Sequence, residues 1–271
     1  MIRDITIGQY FPTGSFLHKL DPRSKIILVL CYLVLIFACR NFFGLGLIVT
    51  LTLLFVAVSK VSFKLIFKGL KSIVLIIIFT SLLQLFYNDK GDILLEFWKI
   101  KITTGGVFTA IFMAVRICCL ILVSSLLTYT TSPTLLTDAI ERLLSPLNKI
   151  HVPVHTLAMM MTIALRFIPT LIEEIDHIMS AQKARGASLD TGSLTERAKA
   201  LIPIFVPLFI NSFRRAFDLA FAMECRCYHG GAGRTRLRVM KLGYRDAIAF
   251  AVTTIAIVGV ILFNIFFKSV I

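Results

Sequence analysis

Long and nearly uncharged apolar runs constrain this chain more than any other feature. Five of them approach or exceed the roughly 20 apolar residues that a helix needs to cross a bilayer. They lie at about 25–39, 42–58, 70–87, 105–129 and 246–267. Hydrophobic residues make up 57% of the 271 residues and charged residues 16%, whereas soluble domains average about 45–50% and 25%. The sequence therefore predicts an all-α polytopic membrane protein with about five transmembrane helices, the first two joined only by Arg40 and Asn41 as a tight hairpin.

The distribution of basic residues predicts how the chain is oriented. The formal net charge is +14, and Lys and Arg accumulate in residues 1–24, between the second and third runs, and in residues 130–245. The loop between the third and fourth runs mixes acidic and basic residues. Because cytoplasmic loops are enriched in Lys and Arg, we expect the N-terminus and residues 130–245 to face the cytoplasm of a bacterial or archaeal cell membrane. Nucleic-acid binding is not expected, since no polar stretch combines basic and aromatic residues.

Residues 130–245 lack clean spanning runs and instead predict three amphipathic helices. The first begins after Thr131 or Ser132, with Pro133 at its first position, and stops near Pro146. The second covers about 154–186 and the third begins near 194, where Pro203 and Pro207 are expected to kink it or delay its start. The predicted regions are therefore an N-terminal segment, 1–24; a four-helix transmembrane region, 25–129; a cytoplasmic or interfacial region, 130–245; and a C-terminal transmembrane helix, 246–271.

Two of these amphipathic helices end on an arginine between small residues. Ala184 and Gly186 flank Arg185, and Cys225 and Cys227 flank Arg226. A single arginine at a helix end is usually a solvated residue that suits the helix dipole. Two such ends in one chain favour a different interpretation, in which each guanidinium enters a pocket of a partner and binds a carboxylate through two hydrogen bonds.

Four blocks of the sequence together resemble the transmembrane T component of energy-coupling factor (ECF) transporters, which are ABC-type importers of vitamins and transition-metal ions. The blocks are "IGQYFPTGSFLHKLDPRSK", "RFIPTLIEEIDHIMSAQKARGAS", "RRAFDLAFAMECRCY" and "GRTR". The resemblance extends over essentially the full length.

The resemblance implies a non-catalytic subunit that couples two ATPases to transport. Two cytoplasmic coupling helices of that family end in an X-Arg-X signature that docks into two ATPase subunits, and the matching residues here are Ala184-Arg185-Gly186 and Cys225-Arg226-Cys227. A separate substrate-binding membrane subunit, the S component, is expected to pack against the apolar stripes and the Met-rich stretch. No cofactor or metal is expected, and no Walker A motif is present for ATP binding.

Two further features allow other interpretations. Glu173, Glu174 and His177 in "EEIDH" could serve an intramembrane hydrolase, because paired carboxylates with a histidine one turn on can bind a metal or activate water. The alternative is a solvated polar face opposite the apolar stripe. Arg116 lies inside the fourth apolar run, where a charge is costly and often functional, although pairing with a carbonyl or carboxylate of a neighbouring helix explains it equally well.

Overall fold

The computed structural model describes residues 10–87, 93–97, 100–187, 193–231, 235 and 240–267. Eight α-helices make up most of them: α1 (Pro22–Ala38), α2 (Phe42–Ser59), α3 (Phe63–Tyr87), α4 (Thr104–Thr130), α5 (Pro133–Leu144), α6 (Val154–Ala184), α7 (Leu194–Glu224) and α8 (Tyr244–Phe266). Short 3-10 turns lie at Leu17–Lys19 and Ser145–Ile150, and β1 (Ile93–Phe97) pairs with β2 (Ile100–Thr103) in an antiparallel hairpin between α3 and α4. The predicted features at residues 1–9, at 88–92 and 98–99 in the α3–α4 loop, at 188–192 and in most of "GRTR" lie outside the described residues.

Six of the described helices are long and apolar enough to cross a membrane, by length and composition alone. They are α2, α3, α4, α6, α8 and the part of α7 from Lys199 to Glu224. The all-α polytopic prediction is confirmed. Helix α1 leads into α2 through the predicted short connection but has only 17 residues. The two additional candidates, α6 and α7, have mean hydropathies of 1.4 and 1.3, against 2.1–2.5 for the other four.

The chain forms two compact units, the described parts of Ile140–Arg238 and of Gly8–Ala139 together with Val239–Ile271. In the second unit α1, α2, α4 and α8 surround a core that includes Tyr32, Ile36, Ile48, Phe112 and Val260. The phenol of Tyr32 donates to the carbonyl of Ile48 at 2.8 Å, so its polar atom is satisfied inside the core. This core holds the apolar helices together without using their outer faces.

Charged residues join the starts of α1 and α8 to the end of α4 in the same unit. Asp21 accepts a hydrogen bond from the backbone of Arg23 at 2.9 Å and caps α1, while Asp246 accepts one from the backbone of Asp21 at 2.9 Å. The buried Lys25 donates to the carbonyl of Thr130 at 2.9 Å. Because buried charges need such partners, this cluster fixes where the three helix ends meet. The helical periodicity of the sequence did not predict these contacts.

Candidate docking site at two helix ends

The first arginine, Arg185, lies where α6 ends in a left-handed turn. The backbone N–H of Gly186 donates to the carbonyl of Lys183 at 3.0 Å, and that of Ala187 donates to Gln182 at 3.0 Å. Gly186 has φ of 86°, a conformation that glycine adopts without steric cost. These two bonds and the left-handed residue form a Schellman motif, which ends the helix at Ala184 and leaves Arg185 as its C-cap.

The second arginine, Arg226, lies in the same backbone arrangement at the end of α7. The N–H of Cys227 donates to the carbonyl of Glu224 at 2.8 Å, and that of Tyr228 donates to Met223 at 3.1 Å. Cys227 is left-handed, with φ of 54°. Arg185 and Arg226 therefore each precede the left-handed residue of a Schellman motif, so the two ends match in backbone geometry as well as in sequence.

Both ends are open to solvent. Ala184, Arg185, Gly186, Cys225, Arg226 and Cys227 are all exposed. Among the described residues, no hydrogen bond or ion pair engages either guanidinium. Each end thus presents an unpaired planar fork of N–H donors, the shape that binds a carboxylate through two hydrogen bonds.

Side-chain contacts show that α6 and α7 run antiparallel. The Glu174 carboxylate accepts from the amide of Asn211 at 2.8 Å and from the guanidinium of Arg215 at 2.5 Å. Farther along α6, Gln182 donates to the carbonyl of Pro203 at 3.4 Å. Later positions on α6 therefore meet earlier positions on α7, as antiparallel helices require.

The contact at Pro203 explains how α7 tolerates proline. In an α-helix each N–H bonds the carbonyl four residues earlier, so Pro207, which has no N–H, leaves the carbonyl of Pro203 without its helical partner. Gln182 supplies a donor to that carbonyl. Of the two expected effects of the prolines, a kink or a delayed start, the delay is wrong, because α7 begins at Leu194 behind a Ser193–Glu196 capping box and runs through both of them.

The chain after Arg226 returns to the beginning of α6. A Cβ on Gly231 would lie 2.2 Å from Cδ2 of the His155 ring, so only glycine fits there without displacing the ring. His155 Nδ1 in turn hydrogen bonds with the Glu141 carboxylate at 2.9 Å. Arg226 is thus at the α6 start, whereas Arg185 is at the α6 end, and the two arginines occupy opposite ends of one helix pair.

The helix pair also exposes a broad apolar surface. Five phenylalanines recur every fourth residue of α7 and are each more than half exposed: Phe205, Phe209, Phe213, Phe217 and Phe221. Met160 and Met161 are exposed on α6 at 51% and 47%. Large exposed apolar patches mark protein–protein or membrane contact surfaces.

The hydrolase interpretation of "EEIDH" gains no support from the geometry. Both oxygens of Glu174 accept hydrogen bonds from α7, while Glu173 and His177 are exposed. The described residues contain no group of three His, Cys, Asp or Glu side chains placed to hold a metal ion. Glu174 also departs from the solvated-face interpretation, since it joins the two helices.

Arg116 is buried within the second unit, only 8% exposed. Its guanidinium donates to the carbonyl of Cys39, just beyond the end of α1, and lies 4.7 Å from the centroid of the Phe112 ring. The helix-end carbonyl lacks a helical partner, so Arg116 supplies one. This contact agrees with the interpretation in which Arg116 pairs with a carbonyl of a neighbouring helix.

Comparison with known proteins gives the family. A family model described as CbiQ, cobalt transport protein, matches residues 13–237. The energy-coupling factor transporter transmembrane protein EcfT of Clostridium kluyveri is 56% identical over 92% of this chain and 93% of its own length. The EcfT proteins of Ruminiclostridium cellulolyticum and Bacillus subtilis are 49% and 42% identical, each over at least 97% of both chains. The chain belongs to the CbiQ/EcfT family.

Family membership confirms the resemblance drawn from the four sequence blocks. The chain is a multi-pass transmembrane component of an ECF-type transporter and a non-catalytic subunit. Sequence reasoning identified both helix-end arginines but missed the Glu174–Asn211–Arg215 cluster and the packing of Gly231 on His155. No signal along the chain could have found them, because the partners are separated by 37 to 76 positions and have no periodic relation.

Proposed function

We propose that this EcfT-family chain is the scaffold and coupling subunit of an ABC-type importer, transmitting ATP-driven motion of two ATPase subunits to a substrate-binding S component. The imported substrate is a vitamin or trace nutrient that the S component selects. The observation that carries the proposal is the pair of exposed arginines, Arg185 and Arg226, in matching Schellman motifs at opposite ends of the antiparallel α6–α7 pair.

The proposed docking chemistry uses the planar guanidinium and its small neighbours. Ala184 and Gly186, like Cys225 and Cys227, leave room for an ATPase groove to enclose the arginine. A carboxylate inside each groove would bind it through two parallel hydrogen bonds, which a lysine cannot reproduce. A hydrogen bond to a charged group contributes about 1.5–3 kcal/mol, so loss of either arginine should weaken its contact measurably.

The proposed S-component surface is the exposed apolar face of α6 and α7. Phenylalanines at every fourth position of α7 give it large contact area, and Met160 and Met161 adapt easily to differently shaped partners. Motion of the helix pair would reach the S component through this face. Arg116 donates to a helix-end carbonyl. A functional role for this charge inside the membrane stays a prediction.

The test is co-purification of ATPase subunits with tagged chain in detergent. We expect Arg185→Ala and Arg226→Ala each to weaken binding at one end by roughly 10-fold or more, and the double variant to lose both ATPases. Lys183→Ala and Arg214→Ala are matched controls, since they remove exposed cations near the first arginine and on α7 away from both ends. Retention of both ATPases by the double variant would overturn the proposal.

A further inference from the structure

We propose that helices α1, α2, α4 and α8 contain a binding site for one anionic phospholipid. One acyl chain of the lipid occupies an apolar cavity among the four helices, and its phosphate lies beside Lys60 and Arg245. The site belongs to the second compact unit. It does not depend on docking of ATPases at Arg185 and Arg226.

The cavity lies where the four helices separate and has a volume of about 210 Å³. Toward Ile36 the same helices close on their common core. On α1 the cavity extends from Lys25 to Tyr32, or about 10 Å at the helical rise of 1.5 Å per residue, within the roughly 15 Å of hydrocarbon in one leaflet. Its apolar lining includes Leu28 and Val29 on α1, Phe55 on α2, Leu126 on α4 and Val252 on α8.

The polar side chains that line the cavity already have partners within the protein. The ammonium of Lys25 donates to the carbonyl of Thr130, the phenol of Tyr32 to that of Ile48, and the hydroxyls of Thr130 and Thr253 to those of Leu126 and Ala249. A buried water molecule needs two to four polar partners, and groups engaged in this way supply few. A dry apolar cavity of about 150 Å³ is large enough to bind benzene, so this larger cavity suits hydrocarbon better than water.

The segment before α1 closes the cavity at the end nearest the N-terminus. Phe16, Leu17 and Leu20 line the cavity there. The hydroxyl of Thr13 donates to the carbonyl of Ser59, the last residue of α2, at 3.1 Å, which ties the segment across that helix end. Access from the aqueous phase is therefore restricted at this end.

The cavity opens at its side, toward α2 and α8. Leu54 on α2 and Ile248 on α8 both line it, and they are 50% and 49% exposed. Exposed apolar side chains on spanning helices face acyl chains of the bilayer. An acyl chain therefore reaches the cavity laterally from the surrounding leaflet.

Two cations mark where the lipid phosphate lies. Lys60 follows the cavity-lining Val58 by two residues, and Arg245 precedes the cavity-lining Ala249 by one helical turn. Among the described residues no carboxylate pairs with either cation; the nearby Asp246 is buried and accepts from two backbone N–H groups. This end is the one predicted to face the cytoplasm, where anionic lipids attract Lys and Arg beside the membrane.

Photo-labelling of the unaltered chain in detergent locates the lipid. The probe is phosphatidylglycerol with a diazirine in one acyl chain, at a small molar excess. We expect cross-links on cavity-lining residues such as Val29 and Val252. Cross-links spread evenly over the exposed faces, α3 included, would overturn the site, and this result does not require any variant to fold.

Filling the cavity tests whether it holds the acyl chain. Ala249→Leu and Val29→Phe add side-chain volume from opposite helices, whereas Ala251→Leu adds the same volume as the first on an exposed face of α8. In native mass spectrometry with added phosphatidylglycerol, we expect the lipid-bound fraction to fall at least 10-fold for each filling variant and to stay unchanged for Ala251→Leu. Absence of a phospholipid adduct on the unaltered chain, or equal adducts on all four chains, would overturn the proposal.

The headgroup preference is tested with phosphatidylcholine of the same acyl chains. Phosphatidylglycerol should bind more tightly, and Lys60→Gln and Arg245→Gln should each remove roughly 5-fold of that preference. Lys64→Gln and Lys68→Gln are matched controls, since they remove exposed cations from α3, which does not line the cavity. Equal affinity for the two lipids, or equal losses in the controls, would overturn the assignment of an anionic phospholipid.

Discussion

At the residue scale, the ends of α6 and α7 have the same backbone geometry although different amino acids follow the two arginines. The residue after each arginine is left-handed, Gly186 at φ 86° and Cys227 at φ 54°. Left-handed backbone costs an ordinary L-residue roughly 1–2 kcal/mol, while glycine adopts it readily. Cys227 therefore carries a conformational cost that Gly186 avoids, and the second helix end is the more strained of the two.

Replacing Cys227 with glycine should stabilise the end of α7. Removing the left-handed cost while adding glycine's extra chain entropy leaves a net gain of about 0.5–1 kcal/mol. Hydrogen exchange of the Tyr228 amide, which closes the motif onto Met223, should slow accordingly. The matched control is Cys225→Gly at a helical φ of −57°, where glycine should instead speed the exchange. The same direction of change for both variants would contradict this account.

Residue roles could be predicted from the sequence where they depend on neighbours in the chain. Arg185 and Arg226 stood out because their flanking small residues are adjacent and their helices have regular apolar stripes. Glu174 was assigned either to a hydrolase or to a solvated face, since its partners Asn211 and Arg215 lie on another helix. Helical periodicity reports which face a residue occupies, and it carries no information about which distant helix covers that face.

At the element scale, helix ends followed local chemistry and were largely predictable. Pro133 begins α5 behind Ser132, whose hydroxyl accepts from the Leu135 backbone at 3.4 Å, and α6 ends one residue before Arg185. The start of α7 agrees with the predicted start near 194, whereas the predicted delay by the prolines does not occur, because a donor from α6 offsets the helix-breaking effect of Pro207. A local rule fails where a tertiary contact supplies the missing hydrogen-bond partner.

Another contact at this scale is the packing of Gly231 on His155, which ties the segment after α7 to α6. We expect Gly231→Ala to cost about 1–3 kcal/mol, because its Cβ would overlap the imidazole ring. In a His155→Ala background the same change should cost less than about 0.5 kcal/mol, since the ring is gone and the two sites no longer couple. Thermal unfolding of the four purified chains in detergent measures this cycle. Equal costs in both backgrounds would mean that Gly231 is restricted by something other than His155.

At the scale of the whole molecule, α6 and α7 have two possible arrangements, across the bilayer or along its cytoplasmic surface. Both are long enough to cross, yet their mean hydropathies of 1.4 and 1.3 are well below those of α2, α3, α4 and α8. Glu174 lies ten residues before the end of α6 and Arg215 nine residues before the end of α7, and charges inside the bilayer are costly even when paired. These properties favour the surface arrangement that the proposed docking requires.

The position of the two helix ends distinguishes these arrangements. If α6 and α7 crossed as a hairpin, Arg185 and Arg226 would lie on opposite sides of the membrane, because each crossing changes sides. The test uses two chains that each carry a single thiol, Ala184→Cys in one and the native Cys225 in the other. If both helices lie at the cytoplasmic surface, a membrane-impermeant maleimide should label each thiol only in inverted vesicles. Arg40→Cys, between α1 and α2 where positive charge is sparse, should be labelled only in intact cells. Expressing the chain without ATPases keeps the thiols uncovered, and labelling of either helix end from outside would rule out two ATPases docked on one face.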